Sequence, residues 1–282
     1  MSELANHKRP PSRFLRSKRG VAGLVIIICI SLTALFAPWL APHDPLEQHL
    51  LERRHPPSLQ HPMGLDELGR DNLSRVIYGA RLSLWVGVTC IFLAVTAGSL
   101  LGAVAGYRGG WLDSLIMGLM DVMLAFPTLL LAIAVVDVLG RGLTNVVYAL
   151  AFTALPTCAR LMRISVLATK EKEYVLAARA IGASAGRLLW RHILPDSLTP
   201  MLAQATVGIG TAILEAAGLS FLGLGAQPPT PEWGAMLGQG RGAVFAAPHI
   251  VLFPGLAIML TVLGFNLLGD GLRDMSDPRL GF

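Results

Sequence analysis

Lysine is the scarcest charged residue in this chain of 282 residues: it occurs only as Lys8, Lys18, Lys170 and Lys172, and none of them follows a glycine. That excludes a Gly-x-x-x-x-Gly-Lys-Ser/Thr phosphate loop, so the chain is not a P-loop ATPase by itself. There is no His-Glu-x-x-His and no Gly-x-Ser-x-Gly either; Ser220, in Gly218-Leu219-Ser220-Phe221-Leu222, lacks the closing glycine. Intramembrane hydrolase chemistry therefore has no support. Cysteine is nearly absent too. Cys29, Cys90 and Cys158 all fall in apolar runs without metal-ligand spacing, which excludes a disulfide framework and reads as small core residues. Charge is low, at 15% against about 25% in soluble domains. The net charge of +5 is not gathered into a basic block interleaved with aromatics, so nucleic acid is excluded as a partner and the basic residues read as topology signals.

What is present is apolar sequence: 53% of residues are hydrophobic. Residues 1–20 form a basic tail holding Lys8, Arg9, Arg13, Arg16, Lys18 and Arg19. Residues 21–40 are uncharged and long enough to cross about 30 Å of hydrocarbon; a signal peptide's apolar core is shorter, so this reads as an uncleaved first span. Residues 41–81 form an outer segment rich in proline. His43, His49, His55 and His61 recur there at six-residue spacing, which matches no ligand pattern and reads as solvated loop histidines. Further spans are expected at about 82–107, 114–139, 144–165, 198–222 and 250–268, within a core of residues 82–270 that is followed by a short tail, 271–282. Gly98, Gly102 and Gly106 recur every four residues and predict close approach of another helix. Six spans place both termini on one side. With the amino terminus inside, 16 of the 23 lysines and arginines lie inside, as the positive-inside rule favours.

Charges within spans are costly and face a bundle interior or a water-filled path. Asp121 and Arg160 are expected at similar depth and predict a pair. Glu215 lies in the outer half of the fifth span and is the charge most readily placed on a solute pathway. Asp121 and Arg160 are the other pathway candidates. The loop 223–249 is expected to lack regular structure. Its Glu232 and Trp233 are candidates for contact with the membrane interface or for docking and gating at the outer mouth.

Between the fourth and fifth spans, residues 170–197 carry mixed charge. Glu173 to Ile181 are good helix formers, with Gly182 placed to end the helix. The pattern Ala177-Ala178, then Gly182, then Leu194-Pro195 resembles the EAA loop of permease subunits in ATP-binding-cassette importers. One departure is that the motif's leading Glu is Leu176 here, with Glu173 one turn away. The segments Gly64 to Asp71, Phe221 to Gly234 and Phe265 to Asp274 resemble the dipeptide, oligopeptide and nickel subgroup, most of all its C-type dipeptide permease. The resemblance implies an all-α integral membrane protein with six transmembrane helices: a type I importer permease fold, MetI-like, with an extra N-terminal helix. It implies ATPase coupling through Glu173, Tyr174, Ala177, Ala178, Arg179, Gly182, Ala183, Arg187, Leu188 and Pro195. It also implies a second permease subunit, two ATPase subunits that carry ATP and Mg, a periplasmic solute-binding protein, surrounding membrane lipid, and no cofactor or metal on this chain. Dipeptides, longer peptides, nickel chelates and opines stay open as solutes. A secondary transporter is the rival from another class, and it leaves the charged loop unexplained.

Overall fold

A computed structural model describes residues 17–276. The tail residues Lys8, Arg9, Arg13 and Arg16, and Arg279 at the other end, lie outside the described residues. Those described are helix and turn, with a single isolated bridge between Leu65 and Asp71.

Helix α1 spans Lys18–Leu35, its first turn capped by the Ser17 hydroxyl, which accepts from Gly20 N at 3.2 Å. The chain then kinks at Phe36 into α2, Ala37–Leu40. The uninterrupted span expected over 21–40 is thus broken, because the Pro38 ring cannot continue a helix past the carbonyl four residues earlier. Helix α3, Asn72–Arg108, is capped by Asp71, which accepts from Ser74 N at 2.8 Å. At 1.5 Å per residue it measures about 55 Å and outreaches the hydrocarbon layer.

Its partner is α6, Leu143–Lys170. The glycine face predicted on α3 is the seam between them. A methyl on Gly98 would come within 2.6 Å of Cys158 Cβ, and one on Gly106 within 2.8 Å of Arg163 O. Between α3 and α6 the expected straight span 114–139 is two helices, α4 (Gly110–Leu124) and α5 (Thr128–Leu139), meeting at 94°. Pro127 lacks the amide hydrogen that a continuing helix needs and pushes Phe126 away from helical geometry. After α7 (Glu173–Ala180) and the single turn α8 (Ala185–Arg187), a π-helical turn, Leu188–Ile193, runs directly into α9, Leu194–Phe221. The fifth span therefore starts earlier than residue 198. The outer loop is not irregular: it contains α10, Trp233–Gly240, before the last helix, α11, His249–Ser276. The irregular-loop expectation failed because Pro228, Pro229 and Pro231 stop just before Glu232, which caps a new helix.

Among the described residues five helices are long and apolar enough to cross a membrane, and the bent pair makes six if it counts as one span. Contacts fix how they alternate. Lys170 Nζ donates to Gly106 O at 3.4 Å, so α3 and α6 end together at what we term the docking end. Gly142 N donates to Leu224 O at 3.0 Å, joining the start of α6 to the finish of α9 at the far end. The pair α4–α5 therefore connects the two ends. Asn72 Nδ2 donates to His249 O at 3.0 Å, which sets the start of α11 at the far end as well. Gly23 of α1 packs against Gly264 and Leu267 of α11, while Ala34 joins Trp233 and Ile258 in one apolar cluster. Helix α1 thus rises from the docking end to the far end.

Candidate functional site

The docking segment hangs from few anchors. In α7 only Val175 is buried, at 0% exposure, joining Leu188, Ile193, Met162 and Val166 in one cluster. Glu173, Tyr174, Leu176, Ala177, Arg179 and Ala180 are exposed, Ala178 is half-buried, and Ile181 is 88% exposed. Gly182 takes φ +86°, a left-handed conformation natural to glycine, and a side chain there would meet nothing within 4 Å. Its sequence role as the stop after α7 is borne out by this geometry. Ala183 N closes the turn on Ala178 O at 3.1 Å, and the Ser184 hydroxyl accepts from Arg187 N at 3.4 Å. Arg187 and Pro195 are exposed and Ala183 half-buried, whereas Leu188 is 2% exposed and so an anchor.

Two side chains brace this segment onto α9. Lys172 Nζ pairs with Asp196 Oδ2. The Tyr174 hydroxyl reaches His192 O at 3.2 Å and Asp196 Oδ2 at 3.3 Å. Partial burial, together with the Asp196 carboxylate beside it, pushes the Tyr174 phenol up to about 12. It therefore stays protonated and donates at any working pH. Asp196 received no role in the sequence reading. The signal was available, since it follows Pro195 in the first turn of a helix, where a carboxylate is favoured.

Toward the middle of the bundle, α9 meets α3, α5 and α6 around a cleft of about 190 Å³. Apolar residues such as Ile91 and Leu150 form much of its wall, but Thr128, Thr153, Thr157, Gln204, Thr211 and Glu215 all line it. Glu215 is half-buried and has no hydrogen bond or ion pair among the described residues. The threonines escaped sequence reasoning because single hydroxyls in apolar runs carry no motif. Asp121 and Arg160 do form the predicted pair, Arg160 NH2 to Asp121 Oδ1. They are not part of the cleft lining. Leu124 and Thr157, which are, stand one turn from them, so the pair sits one turn toward the docking end. A second pair was missed: Arg163 binds Asp113 bidentately at 2.5 and 2.6 Å. Together the two pairs staple α4 to α6.

At the far end the charged segment from Asp66 to Arg75 is folded and buried. Arg70 is 2% and Arg75 0% exposed. Asp66 Oδ2 receives Arg70 Nε at 2.7 Å and lies 3.4 Å from Arg75 Nε. Arg70 also donates to Gln239 Oε1 at 2.9 Å, and Arg75 to Pro45 O at 3.1 Å and Pro229 O at 3.4 Å. Glu232 and Trp233 need correction in the same sense. Trp233 is 2% exposed, donating from Nε1 to Val76 O at 2.9 Å, so its ring offers no surface to a membrane interface or a docking protein. Glu232 is buried as the cap of α10, accepting from Gly234 N and Ala235 N at 2.9 Å each, with Ser83 Oγ 3.4 Å away. Burial raises its carboxyl above the usual carboxylate range, against the lowering effect of those hydrogen bonds. The histidines are likewise not all solvated: His43 and His61 meet Asp71, whereas His49 and His55 are exposed.

Comparison with known proteins agrees with this architecture. Residues 98–282 match the family described as binding-protein-dependent transport system inner membrane component. Residues 12–57 match the N-terminal TM domain of oligopeptide transport permease C. The chain is 50% identical over 265 residues to the dipeptide transport system permease protein DppC of Alkalihalophilus pseudofirmus, covering 94% of this chain and 87% of that one. It is 50% identical over 269 residues to the glutathione transport system permease protein GsiD of Escherichia coli O6:K15:H31, covering 95% and 89%. A solved structure of the methionine ABC transporter MetNI, in an inward-facing conformation, contains a chain of like fold. It has TM-score 0.54 at 19% identity, covering 73% of this chain and 98% of that one.

Proposed function

The chain belongs to the family of binding-protein-dependent transport system inner membrane components, and on that premise we propose that it is the C-type permease subunit of an ATP-driven importer of dipeptides or other short peptides. One observation carries the mechanism: the exposed segment Glu173–Ile181 is braced through Asp196 onto α9, the helix that lines the polar cleft. In this reading the docking end is cytoplasmic, with both termini there, in agreement with the distribution of arginine and lysine. Two ATP-binding-cassette subunits receive α7 and hydrolyse ATP with Mg, so this chain needs no cofactor. A binding protein delivers solute at the far end. A second permease completes the pathway, and the open apolar groove between α9 and α11, about 640 Å³ and lined by Leu214, Phe221, Met259 and Leu263, suits an apolar helix of that subunit. Lipid covers other exposed apolar faces, such as Val25, Ile28 and Leu32 on α1.

ATP closure of the partner subunits moves α7 as a rigid body. Lys172 and Tyr174 transmit the displacement to Asp196 and so to α9. A tilt of α9 against α3 and α6 changes the width of the cleft at Gln204, Thr211 and Glu215. The chemistry of that wall fits a zwitterionic peptide: hydroxyls and an amide for peptide groups, and an unpaired carboxylate for the ammonium terminus.

The test is the assembled importer in sealed vesicles, measuring peptide uptake and ATP hydrolysis together. Gly182→Val should assemble, because the site is open, while strain of about 1–2 kcal/mol distorts the turn; hydrolysis then continues with uptake lost. Glu215→Gln should lower uptake of peptides with a free amino terminus more than that of amino-blocked ones. Wild-type uptake in both variants, or uptake driven by an ion gradient without ATP, would overturn the reading.

A further inference from the structure

His43, His61 and Asp71 converge at the N-terminal end of α3, far from the docking segment. His61 Nδ1 stands 2.9 Å from Asp71 Oδ1, and His43 Nδ1 stands 3.7 Å from Asp71 Oδ2. The two imidazole centroids are 4.6 Å apart. One ligand atom from each residue lies within 4.8 Å of the others. Bonds of about 2.0–2.2 Å in four-coordinate zinc set neighbouring donors about 3.3 Å apart, and the two measured nitrogen–oxygen separations fall on either side of that spacing.

The cluster is held by a surrounding hydrogen-bond shell. Asp71 Oδ2 accepts from Ser74 N at 2.8 Å and from Ser74 Oγ at 2.7 Å. The same hydroxyl accepts from His43 N at 3.1 Å. One serine therefore orients the carboxylate and fixes the backbone of one imidazole, as outer partners do around metal ligands. Two needs remain unmet. His43 Nδ1 is a buried atom without a hydrogen-bond partner. The Asp71 side chain, 1% exposed, has no lysine or arginine ion partner among the described residues; its ionic neighbours are the two histidines. The α3 N-terminus offers partial positive charge. A buried carboxylate facing two imidazoles is nonetheless the arrangement that a cation completes.

We propose that His43, His61 and Asp71 form a three-ligand site for a divalent transition metal of the zinc class. Two imidazoles and a carboxylate without thiolate favour Zn²⁺, Co²⁺ or Ni²⁺ over Cu⁺, and over the all-oxygen preference of Ca²⁺ and Mg²⁺. Three protein ligands leave a fourth position for water or an external donor. The ion would tie the segment after α2 to the start of α3. That junction adjoins Arg75, whose guanidinium reaches Pro45 O and Pro229 O, so occupancy would rigidify the far end.

The experiment uses the full chain in its assembled complex, purified without a histidine tag and stripped with chelator. Co²⁺ titration of the wild type should give the intense visible bands of four-coordinate cobalt, abolished by competing Zn²⁺. His43→Gln and His61→Gln should each weaken binding by at least about tenfold, whereas His49→Gln and His55→Gln should leave it unchanged. His43 is the safer variant for folding, its side chain being 37% exposed against 14% for His61. Absence of those bands in the wild type, or equal binding by wild type and His43→Gln in a complex of normal assembly, would overturn the proposal.

Discussion

The two ends of the molecule treat charge in opposite ways. At the docking end, Glu173, Arg179 and Arg187 are exposed, the Lys172–Asp196 pair is nearly half exposed on both sides, and one valine anchors α7. At the far end, Asp66, Arg70, Asp71, Arg75 and Glu232 are all buried among partners of the same chain. A surface left wet and lightly anchored is built to be completed by another protein. A buried network sets geometry. In the proposed mechanism energy enters at the first, and shape is held at the second.

The sharpest way to break that contrast is Arg70→Ala. Removing one partner of a buried pair strands the other and costs about 3–5 kcal/mol. The expected outcome is a large loss of assembled complex in detergent size-exclusion profiles, whereas alanine at exposed Arg187 should leave assembly intact. Equal assembly of the two variants would erase the distinction.

Glu232 gives a smaller effect with a sign. Its carboxyl is raised in the folded state, so its contribution is fully present below the unfolded value and is lost as pH rises through the folded one. Above the unfolded value the wild type carries a pH-dependent cost that Glu232→Gln lacks. The thermal midpoint of Glu232→Gln relative to wild type should therefore climb with pH. Glu232→Ala should fall by about 0.5–2 kcal/mol through loss of the cap. A difference between Gln variant and wild type that narrows with rising pH would contradict the assignment.

The smallest effect belongs to the docking brace. Tyr174→Phe removes one hydroxyl from a partly exposed pair of contacts and should cost about 1 kcal/mol or less in stability. Its expected signature is in coupling: fewer peptides moved per ATP, with assembly unchanged. Unaltered stoichiometry would show that Lys172 alone carries the brace.

Much of this was legible beforehand. Long apolar runs placed the spans, the four-residue recurrence of Gly98, Gly102 and Gly106 foretold the α3–α6 seam, and equal depth foretold Asp121 with Arg160. Gly182 announced its turn. The far end was not legible, for a physical reason. Arg70 is satisfied by Gln239, 169 residues on, and Trp233 by Val76, 157 residues back. Polarity read locally means solvent; only tertiary pairing turns it into burial. Pro127 falls inside the run expected to be one span, 114–139, and divides it.

The glycine seam also sets where the molecule is able to deform. With α3 backbone lying on α6 backbone, no side-chain layer is left between them to shear. The two ion pairs fasten α4 to the same unit, and Ala132 and Val136 of α5 share a cluster with Val146 and Leu150 of α6. These four helices make a beam without slip planes. In the proposed mechanism a push delivered at Asp196 is not absorbed by sliding within that beam and emerges as rotation of α9 about it, with the π-helical turn Leu188–Ile193, anchored at both ends, at its base.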